Sequence, residues 1–362
     1  MDMTRKTLVR GLFGAAVAAP LALAGCSRGS SGGGGATSEG DGTPCEVTGY
    51  TPYAGSHPEA FPAPGDRVAV ISPSATPSQR QVDATVAGLE AWGYVPVQGK
   101  YVCVKTRTLA QCVEDLEWAL ADPTIKAIFC VRGGYAASEV MDLVPLAHVA
   151  DAGKLIIGYS DITVYHAAWT AVGLPSIHAS MAATFMDLPE ACVEPTRRLL
   201  AGEVPSYRVG RSPLCINGEA TGVLIAGNLS TLTSTLGTVY DCTKIGRPYI
   251  LVLEDVEEDM QHIHRFLAIL KHLGVLAGAA GIILGEWTDV PASTGDYSGD
   301  SRGGIFTSVA DMIDRQYFHD AKIPVAYGFP VGHGKTNYPL LVGEVAHLTV
   351  TDDAVTLSWG AR

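Results

Sequence analysis

The feature that most restricts the fold of this chain is a regular alternation of short apolar runs and amphipathic stretches from residue 64 onward. Buried strands are predicted at 67–71, 94–97, 127–131 and 155–159. Helices are predicted between and after them, at 77–92, 108–121, 136–144 and 161–172. Repeated strand–helix–strand units predict a parallel sheet with helices on both faces. Ligands of such sheets bind beyond the carboxyl ends of the strands, so the turns that follow the strands are the candidate site.

The pattern changes after about residue 185, and the second half of the chain has a different rhythm. It contains a predicted helix at 189–202, a Gly- and Thr-rich stretch at 221–236, a strand at 250–253, a helix at 260–273 and a strand-like tail at 344–358. We therefore predict an α/β fold with two domains. An N-terminal parallel-sheet α/β sandwich covers residues 61–210, and a C-terminal domain covers residues 211–362.

The first 25 residues are typical of an export signal rather than of a folded element. Arg5, Lys6 and Arg10 precede an apolar stretch that is too short for a permanent membrane span. The stretch ends in Leu-Ala-Gly-Cys26, which resembles the lipobox of bacterial lipoproteins, whose cysteine carries the lipid. A plain secretory signal cleaved elsewhere is the alternative. Residues 26–60, rich in Gly and Ser at their start, are predicted to be a flexible tether and lead-in.

The net charge and the cysteine spacing argue against two classes of function, nucleic-acid binding and zinc binding. The formal net charge of −12 argues against a nucleic-acid partner, because phosphates would be repelled. Of eight cysteines, none forms a C-x-x-C pair, so a zinc site is not expected. Export permits disulfides, and Cys45 with Cys103 is the first pair to test, although the sequence does not fix the connectivity.

Two turns at the ends of predicted strands carry the residues of greatest chemical interest. Gly133 and Gly134 follow one strand, and Ser160 and Asp161 follow the next. A serine hydroxyl at a strand-to-helix turn, beside a loop with free N–H groups, is the minimal apparatus for acyl transfer. A serine before a helix is also a common N-cap, so the local pattern alone leaves both interpretations open.

A nucleophilic serine needs a base, and His333 is the best placed of ten histidines. It lies between glycines in Gly-Phe-Pro-Val-Gly-His333-Gly, where the ring can be reached. His166 and His178 are predicted to be satisfied core residues. Glu254 ends an apolar strand and is the candidate carboxylate, whereas the acids that follow it, Asp255 among them, are predicted to form a solvated face.

Together these motifs resemble the LD-carboxypeptidase family of serine peptidases, which includes murein tetrapeptide carboxypeptidases and microcin C self-immunity proteins. The motifs, in chain order, are Arg-Gly-Gly-Tyr, Gly-Tyr-Ser-Asp-Ile-Thr, Gly-Asn-Leu, Leu-Glu-Asp-Val and Gly-Phe-Pro-x-Gly-His. The resemblance implies a triad of Ser160, Glu254 and His333, and a smaller, β-rich C-terminal domain. It also implies an oxyanion hole made by the N–H of Asp161 and that of Gly134, with Gly133 as the next choice.

Within the same motifs, Arg132, Tyr135 and Asn228 are predicted to bind substrate. The chain differs from the family at Ala136, where glycine is usual, and at Ala179-Ser180, where Gly-Pro is usual. These differences leave the proposed triad intact and bear on substrate preference.

The function that the resemblance implies is hydrolysis of the L,D bond before the terminal D-alanine of peptidoglycan tetrapeptides, without metal or cofactor. One alternative is the same chemistry on an aminoacyl-nucleotide or a peptide antibiotic. Another is a wall-binding lipoprotein without activity. The lipobox predicts a lipid-anchored protein on the outer face of the cytoplasmic membrane, and a homodimer is one option for the oligomeric state.

Replacing Cys26 with Ser should release the protein from the membrane fraction or block its processing. A diacylglyceryl thioether would bury many methylenes in the bilayer at about 0.8 kcal/mol each, and serine cannot carry that thioether. Fractionation and intact-mass measurement of Cys26→Ser, with Ser27→Ala as control, provide the test. A Cys26→Ser protein that remains membrane-bound and normally processed would contradict the lipoprotein prediction.

Overall fold

The computed structural model describes residues 44–181, 188–290 and 306–360. These residues form two sheets, one of six strands and one of eight, with helices between the strands. The strands in chain order are β1 Cys45–Pro52, β2 Arg67–Ile71, β3 Val95–Gln98, β4 Ile125–Cys130, β5 Leu155–Gly158, β6 Ser176–His178, β7 Glu203–Gly210, β8 Gly218–Asn228, β9 Tyr249–Val256, β10 Ala279–Thr288, β11 Val325–Tyr327, β12 Leu340–Val342, β13 Val345–Val350 and β14 Ala354–Trp359.

The six-stranded sheet has the order β12-β6-β5-β4-β2-β3 and confirms the predicted parallel sheet. Its five N-terminal strands run parallel, and β12 joins the edge in the antiparallel sense. Strand β5 is buried along its whole length, as expected for a strand covered on both faces. The parallel arrangement brings the turns after β4 and β5 to one edge of the sheet, as the sequence predicted.

The eight-stranded sheet has the order β1-β7-β14-β13-β8-β9-β10-β11 and makes the C-terminal half β-rich. Strands β8 to β11 run parallel, and the remaining pairs are antiparallel. The Gly- and Thr-rich stretch 221–236 contains most of β8 and a short helix, neither of which the pattern of residues indicated.

The helices predicted at 77–92, 108–121, 136–144, 161–172, 189–202 and 260–273 are present with bounds close to those predicted, whereas Leu146–Ala152, Leu229–Ser234 and Val275–Gly278 were not predicted. In chain order the helices are Gln79–Ala91, Leu109–Ala121, Ala137–Met141, Leu146–Ala152, Thr163–Ala171, Glu190–Leu200, Leu229–Ser234, Met260–His272, Val275–Gly278 and Val309–Ile313, with 3₁₀ turns at Pro58–Ala60, Ser160–Ile162 and Cys242–Lys244 and a π-helical segment at Asp314–Phe318. Capping boxes explain two of the starts, since Ser78 with Gln81 and Thr108 with Gln111 satisfy end N–H groups reciprocally. Within the described ranges no helix is long and apolar enough to cross a membrane.

Each sheet contains one strand from the other half of the chain. Strand β1 lies within the 26–60 stretch expected to be a tether, yet it pairs with β7 in the eight-stranded sheet. Strand β12, from the C-terminal half, pairs with β6 in the six-stranded sheet. The described residues, 44–181, 188–290 and 306–360, belong to one compact unit. The signal segment 1–25 and Cys26 lie outside the described residues.

A close contact joins the two halves directly behind the turn that carries Ser160. The N–H of Asn228 donates to the hydroxyl oxygen of Thr163 at 3.0 Å, and this links β8 to the first residue of the helix Thr163–Ala171. A Cβ atom on Gly227 would lie 2.2 Å from the Thr163 methyl carbon and 2.6 Å from its hydroxyl oxygen. Glycine is therefore required at 227 for the helix to sit against β8.

Replacing Gly227 with Ala should destabilise the protein by about 1–3 kcal/mol, because the methyl group overpacks the junction with Thr163. Gly88→Ala is the matched control, since a Cβ there meets nothing within 4 Å in its helix. The control should be neutral or more stable by about 0.5–1 kcal/mol. Urea unfolding of both variants provides the measurement, and equal stability of Gly227→Ala and wild type would show that the junction tolerates a side chain.

Candidate active site

The turn after β5 holds Ser160 in a strained backbone conformation. Ser160 has a φ of 65°, in the left-handed region that residues with a side chain rarely adopt. A Cβ on Gly158 would lie 2.9 Å from the side chain of Ile162, so the turn can close this tightly only with glycine there. Strain of this kind costs about 1–3 kcal/mol and is typical of functional turns, where it exposes one side chain at a sheet edge.

The glycine loop after β4 lies directly against Ser160. A Cβ atom on Gly133 would be 2.9 Å from the Cβ of Ser160 and 3.2 Å from its Oγ. Gly134 has a φ of 131°, and a Cβ there would meet that of Ala75 at 2.4 Å. Both positions therefore require glycine, and the loop at Gly133 lies beside the Ser160 hydroxyl. The oxyanion hole stays a prediction.

The Asp161 side chain connects the serine turn to its surroundings. Its Oδ2 accepts hydrogen bonds from Ser74 Oγ at 2.5 Å and from the N–H of Ala137 at 3.0 Å. Burial raises the pKa of this carboxyl, and the two hydrogen bonds oppose the rise. Because Ala137 begins the helix that follows the glycine loop, this carboxylate fixes the loop relative to the turn and so orients the Asp161 N–H.

His333 and Glu254 form a buried hydrogen-bonded pair. The Nδ1 of His333 lies 2.7 Å from the Oε2 of Glu254, whose side chain is 1% exposed. A carboxylate only accepts hydrogen bonds, so Nδ1 carries the proton and Nε2 is left able to accept one. The His333 ring also packs on Tyr159, with 4.6 Å between ring centroids. The His333 ring is thus adjacent to the residue that precedes Ser160, and the structure brings all three predicted triad residues to one region.

The surroundings of His333 favour its charged form. Burial by itself lowers the pKa of the imidazole, but Coulomb attraction to Glu254 and the hydrogen bond that the ring donates to Glu254 act the other way, with smaller contributions from Asp255 and Glu286. The net result is a pKa above the usual value of about 6.5. A base of this kind is neutral only on the alkaline side of that value.

Two further carboxyl groups lie near the pair: Asp255, whose predicted solvent exposure is wrong, and Glu286, for which there was no prediction. Asp255 was expected in a solvated face, but it is 1% exposed and accepts from Asn228 Nδ2 at 2.7 Å and from the Ser230 N–H at 3.0 Å. Burial, followed by repulsion from Glu254, raises the pKa of Asp255 to about 6. Its hydrogen bonds turn it away from His333, so Glu254 is the partner of the imidazole.

Glu286 is the carboxyl group that the sequence analysis did not single out. It lies near the end of β10 and is 8% exposed, and burial raises its pKa. Its Oε2 has no hydrogen-bond partner among the described residues. A Cβ on Gly334 would lie 1.7 Å from that oxygen, so Glu286 lies immediately beneath the loop of His333. The available signal was its position after the apolar run Gly281–Gly285, which parallels the position of Glu254.

The three residues predicted to bind substrate occupy different environments. Tyr135 is 76% exposed, and Arg132 is exposed with a single 3.3 Å hydrogen bond from Nη1 to the Thr76 carbonyl. Both are therefore accessible to a ligand beside the glycine loop. Asn228 is 4% exposed, and its amide group is engaged with Asp255, Ser230 and the N–H of Thr231. Substrate binding by these three residues stays a prediction.

The two core histidines differ from each other. His166 is satisfied as predicted, with Nδ1 2.9 Å from Ser176 Oγ and Nε2 2.9 Å from the Gly158 carbonyl oxygen. His178 is fully buried, but neither of its ring nitrogens has a hydrogen-bond partner within the described ranges. Burial lowers the pKa of both rings, so both are neutral near pH 7.

Other candidate centres lie apart from this region. The seven cysteines between residues 44 and 360 are free thiols, Cys45 and Cys103 among them. A cavity of about 440 Å³ lies beside β1 and β13, and its lining includes Tyr53, Arg247 and Trp359 but none of the predicted triad. Among the described residues no group of three or more His, Cys, Asp or Glu side chains could hold a metal ion.

Models of known protein families match both halves of the chain. Residues 68–179 match the N-terminal domain of LD-carboxypeptidases, and residues 221–348 match their C-terminal domain. The murein tetrapeptide carboxypeptidase of Pseudomonas aeruginosa is 30% identical in an alignment that covers 78% of this chain and 92% of the relative.

Solved structures show the same fold. The muramoyltetrapeptide carboxypeptidase from Oxalobacter formigenes superposes with a TM-score of 0.70 at 24% identity, over 82% of this chain and 99% of the other. The microcin C7 self-immunity protein in complex with aspartyl sulfamoyl adenosine superposes with a TM-score of 0.66 at 20% identity, over 83% of this chain and 98% of the other. From the two domain matches and the sequence relatives together, the chain belongs to the LD-carboxypeptidase family and is a serine peptidase.

Proposed function

We propose that this protein is a serine LD-carboxypeptidase that removes the terminal D-alanine from peptidoglycan tetrapeptides, with Ser160, His333 and Glu254 as its triad. The observation that carries the proposal is the buried 2.7 Å contact between His333 and Glu254, next to the strained turn of Ser160. The name of the Pseudomonas aeruginosa relative supports the murein peptide as substrate.

In the proposed mechanism His333 Nε2 takes the proton of Ser160 Oγ as the oxygen attacks the scissile carbonyl carbon. The imidazolium then gives that proton to the leaving amine, and the C–N bond breaks to release D-alanine. Water, deprotonated by the same nitrogen, hydrolyses the acyl-enzyme ester and restores the serine. Glu254 holds the ring in the required tautomer and stabilises the imidazolium that forms in each half-reaction.

The negative charge that develops on the carbonyl oxygen needs donors that are already in place. The N–H groups of the glycine loop and of Asp161 are the proposed donors, since the loop lies against Ser160 and Asp161 is the second residue of the 3₁₀ turn Ser160–Ile162. A donor of this kind contributes about 10²–10³-fold to kcat in serine peptidases. The carboxylate that ties Asp161 to Ala137 would keep the two donors at a fixed separation.

A carboxypeptidase must also recognise the free carboxylate of the leaving residue. Arg132 precedes the glycine loop and carries an exposed guanidinium group, so it is the proposed contact for that carboxylate. Arginine suits this role because its planar fork can donate two parallel hydrogen bonds. Tyr135, exposed on the same loop, is the proposed wall of the peptide-binding groove.

The proposed location is the outer face of the cytoplasmic membrane, with a lipid on Cys26. The lipobox-like Leu-Ala-Gly-Cys26 and the Gly- and Ser-rich stretch after it support this location. The substrate would then be wall peptide or released muropeptide. The Cys26→Ser experiment tests the anchor independently of catalysis.

A second candidate function uses the same chemistry on an aminoacyl-nucleotide or a peptide antibiotic. The structural likeness to the microcin C7 self-immunity protein supports it, and the departure from the usual Gly-Pro at Ala179-Ser180 bears on substrate preference without favouring either candidate. A panel that contains a defined tetrapeptide and an aminoacyl-nucleotide analogue separates the two functions. The wall-binding alternative without activity has no support from the family, whose members are peptidases.

Ser160→Ala should abolish turnover while the protein stays folded. Loss of a triad nucleophile lowers kcat by about 10⁴- to 10⁶-fold. The measurement is mass spectrometry of a defined tetrapeptide, in which the wild type should release one alanine. Ser234→Ala, an exposed serine on another helix, is the control and should keep full activity. Near wild-type turnover by Ser160→Ala would remove Ser160 as nucleophile.

Activity should fall on the acid side as His333 becomes protonated, with the midpoint above pH 6.5 because Glu254 raises the pKa of the ring. Glu254→Gln should move that midpoint to lower pH and lower kcat by about 10³- to 10⁴-fold, with a smaller effect on KM. Glu117→Gln is the matched control, because Glu117 lies 2.8 Å from His148 in a solvent-exposed pair. A Glu254→Gln enzyme with full kcat and an unshifted pH profile would exclude Glu254 from the triad.

A further inference from the structure

The loop that carries His333 is closed by a buried asparagine. Asn337 is 2% exposed, and its Oδ1 accepts the N–H of Gly332 at 3.1 Å. Gly332 directly precedes His333 and has a φ of 139°. A second hydrogen bond, 3.1 Å long and donated by the Tyr338 N–H to the Pro330 carbonyl, joins the two ends of the loop. His333 therefore lies in a short segment whose two ends are joined by the Asn337 side chain.

The other end of the same amide reaches the sheet that carries Ser160. Asn337 Nδ2 lies 2.9 Å from the Oγ of Ser180, which is itself 2% exposed. Ser180 comes two residues after His178, the last residue of β6, and the neighbouring Ala179 N–H donates to the Gly158 carbonyl at 3.0 Å. Gly158 pairs with His178 and lies two residues before Ser160. Ser160 and Ser180 therefore each lie two residues beyond Gly158 and His178, which pair with each other in the six-stranded sheet.

We infer that Asn337 is a positioning residue, which sets the His333 imidazole against Ser160 by bridging Gly332 to Ser180. This inference rests on the proposed function, since it assigns the residue that aligns base and nucleophile. The bridge of Gly332, Asn337 and Ser180 is a short hydrogen-bonded connection from the loop of the base to the strand edge of the nucleophile. Strand β12, three residues further along, fixes the chain after the loop. Within the loop the Asn337 amide acts together with the contacts of His333 with Glu254 and of Thr336 with Glu286.

The loop also packs against two carboxyl-bearing side chains, so its position depends on these contacts as well as on the Asn337 hydrogen bonds. A Cβ on Gly332 would lie 3.1 Å from Glu254 Oε2 and 3.3 Å from Glu286 Cβ, so the loop rests on two carboxyl-bearing side chains. Loss of the Asn337 contacts would leave the Gly332 N–H and the Ser180 hydroxyl buried without their partner, and the segment would shift to satisfy them. A displacement of about 1 Å at a reacting group can cost about 10²-fold in rate.

The test compares Asn337→Ala, Ser180→Ala and the double variant with the wild type. Asn337→Ala should lower kcat by about 10- to 100-fold with KM within about twofold, since substrate contacts are unchanged. Ser180→Ala removes only the far end of the bridge and should lower kcat less. The double variant should be no worse than Asn337→Ala, because both changes break one connection. Asn217→Ala is the control, as Asn217 hydrogen-bonds Asp352 at the surface.

A second readout separates positioning from stability and from substrate identity. Covalent modification of Ser160 by a fluorophosphonate needs the base but no particular substrate, so its rate should fall in Asn337→Ala in parallel with kcat, and urea unfolding should show that the variant is folded. If Asn337→Ala does not fold, the Ser180→Ala variant carries the same comparison.

Two results have distinct meanings. Folded variants that keep the wild-type kcat and the wild-type rate of modification would overturn the role of Asn337 and leave the triad intact. A wild-type protein that the probe never labels at Ser160 would overturn the proposed triad, and the Asn337 inference with it.

Discussion

The arrangement of the site depends on the Glu254 carboxylate, because a carboxylate buried this deeply needs a hydrogen-bond donor beside it. Its side chain is 1% exposed, and His333 is the donor that the structure places on it. Removing a carboxylate from water costs several kcal/mol, which a single well-aligned partner offsets only in part. Its second oxygen, Oε1, has no hydrogen-bond partner in the described part of the chain. The loop of His333 therefore contributes to the stability of β9 as well as to chemistry, and the imidazole is held charged more readily than in water.

The two sheets bring their carboxyl edges to the same place, and this convergence makes the site. Strands β4 and β5 lead into the glycine loop and the serine turn, while β9 carries Glu254 two residues before its end and β11 leads into the loop of His333. Parallel strands expose their following turns at one edge, so each sheet presents its functional residues together. The contact of Thr163 with Gly227 and the exchange of β12 between sheets hold the two edges in register. A hinge between rigid halves would leave Ser160 and His333 without a fixed separation, and these contacts oppose it.

Much of this arrangement could be predicted from residue patterns, because the strands of the parallel sheet are long apolar runs with clear ends. Arg67–Ile71 was predicted to the residue, and the positions of Ser160, Glu254 and His333 followed from the turns after such runs. Strand β1 could not be predicted, since its burial alternates weakly and its partner β7 lies about 150 residues away in the chain. Strand β8 was obscured by its glycine and threonine residues, of which Gly227 is required by the close approach of Thr163. Local pattern carries no information on contacts of this kind.

The burial of Asp255 and Glu286 shows where reasoning from sequence reaches its limit at this site. An acidic residue after a strand is usually solvated, and Glu257, Glu258 and Asp259 fit that expectation better than Asp255 does. Asp255 is buried because Asn228 and the first turn of the helix Leu229–Ser234 supply the donors it needs. Asn228, in turn, uses its amide on that carboxylate and on the helix start, which makes it a support for the strand edge that carries Glu254. One carboxylate can thus act on His333 because the adjacent one is bound elsewhere, and β9 can present two acids in succession without both competing for the same base.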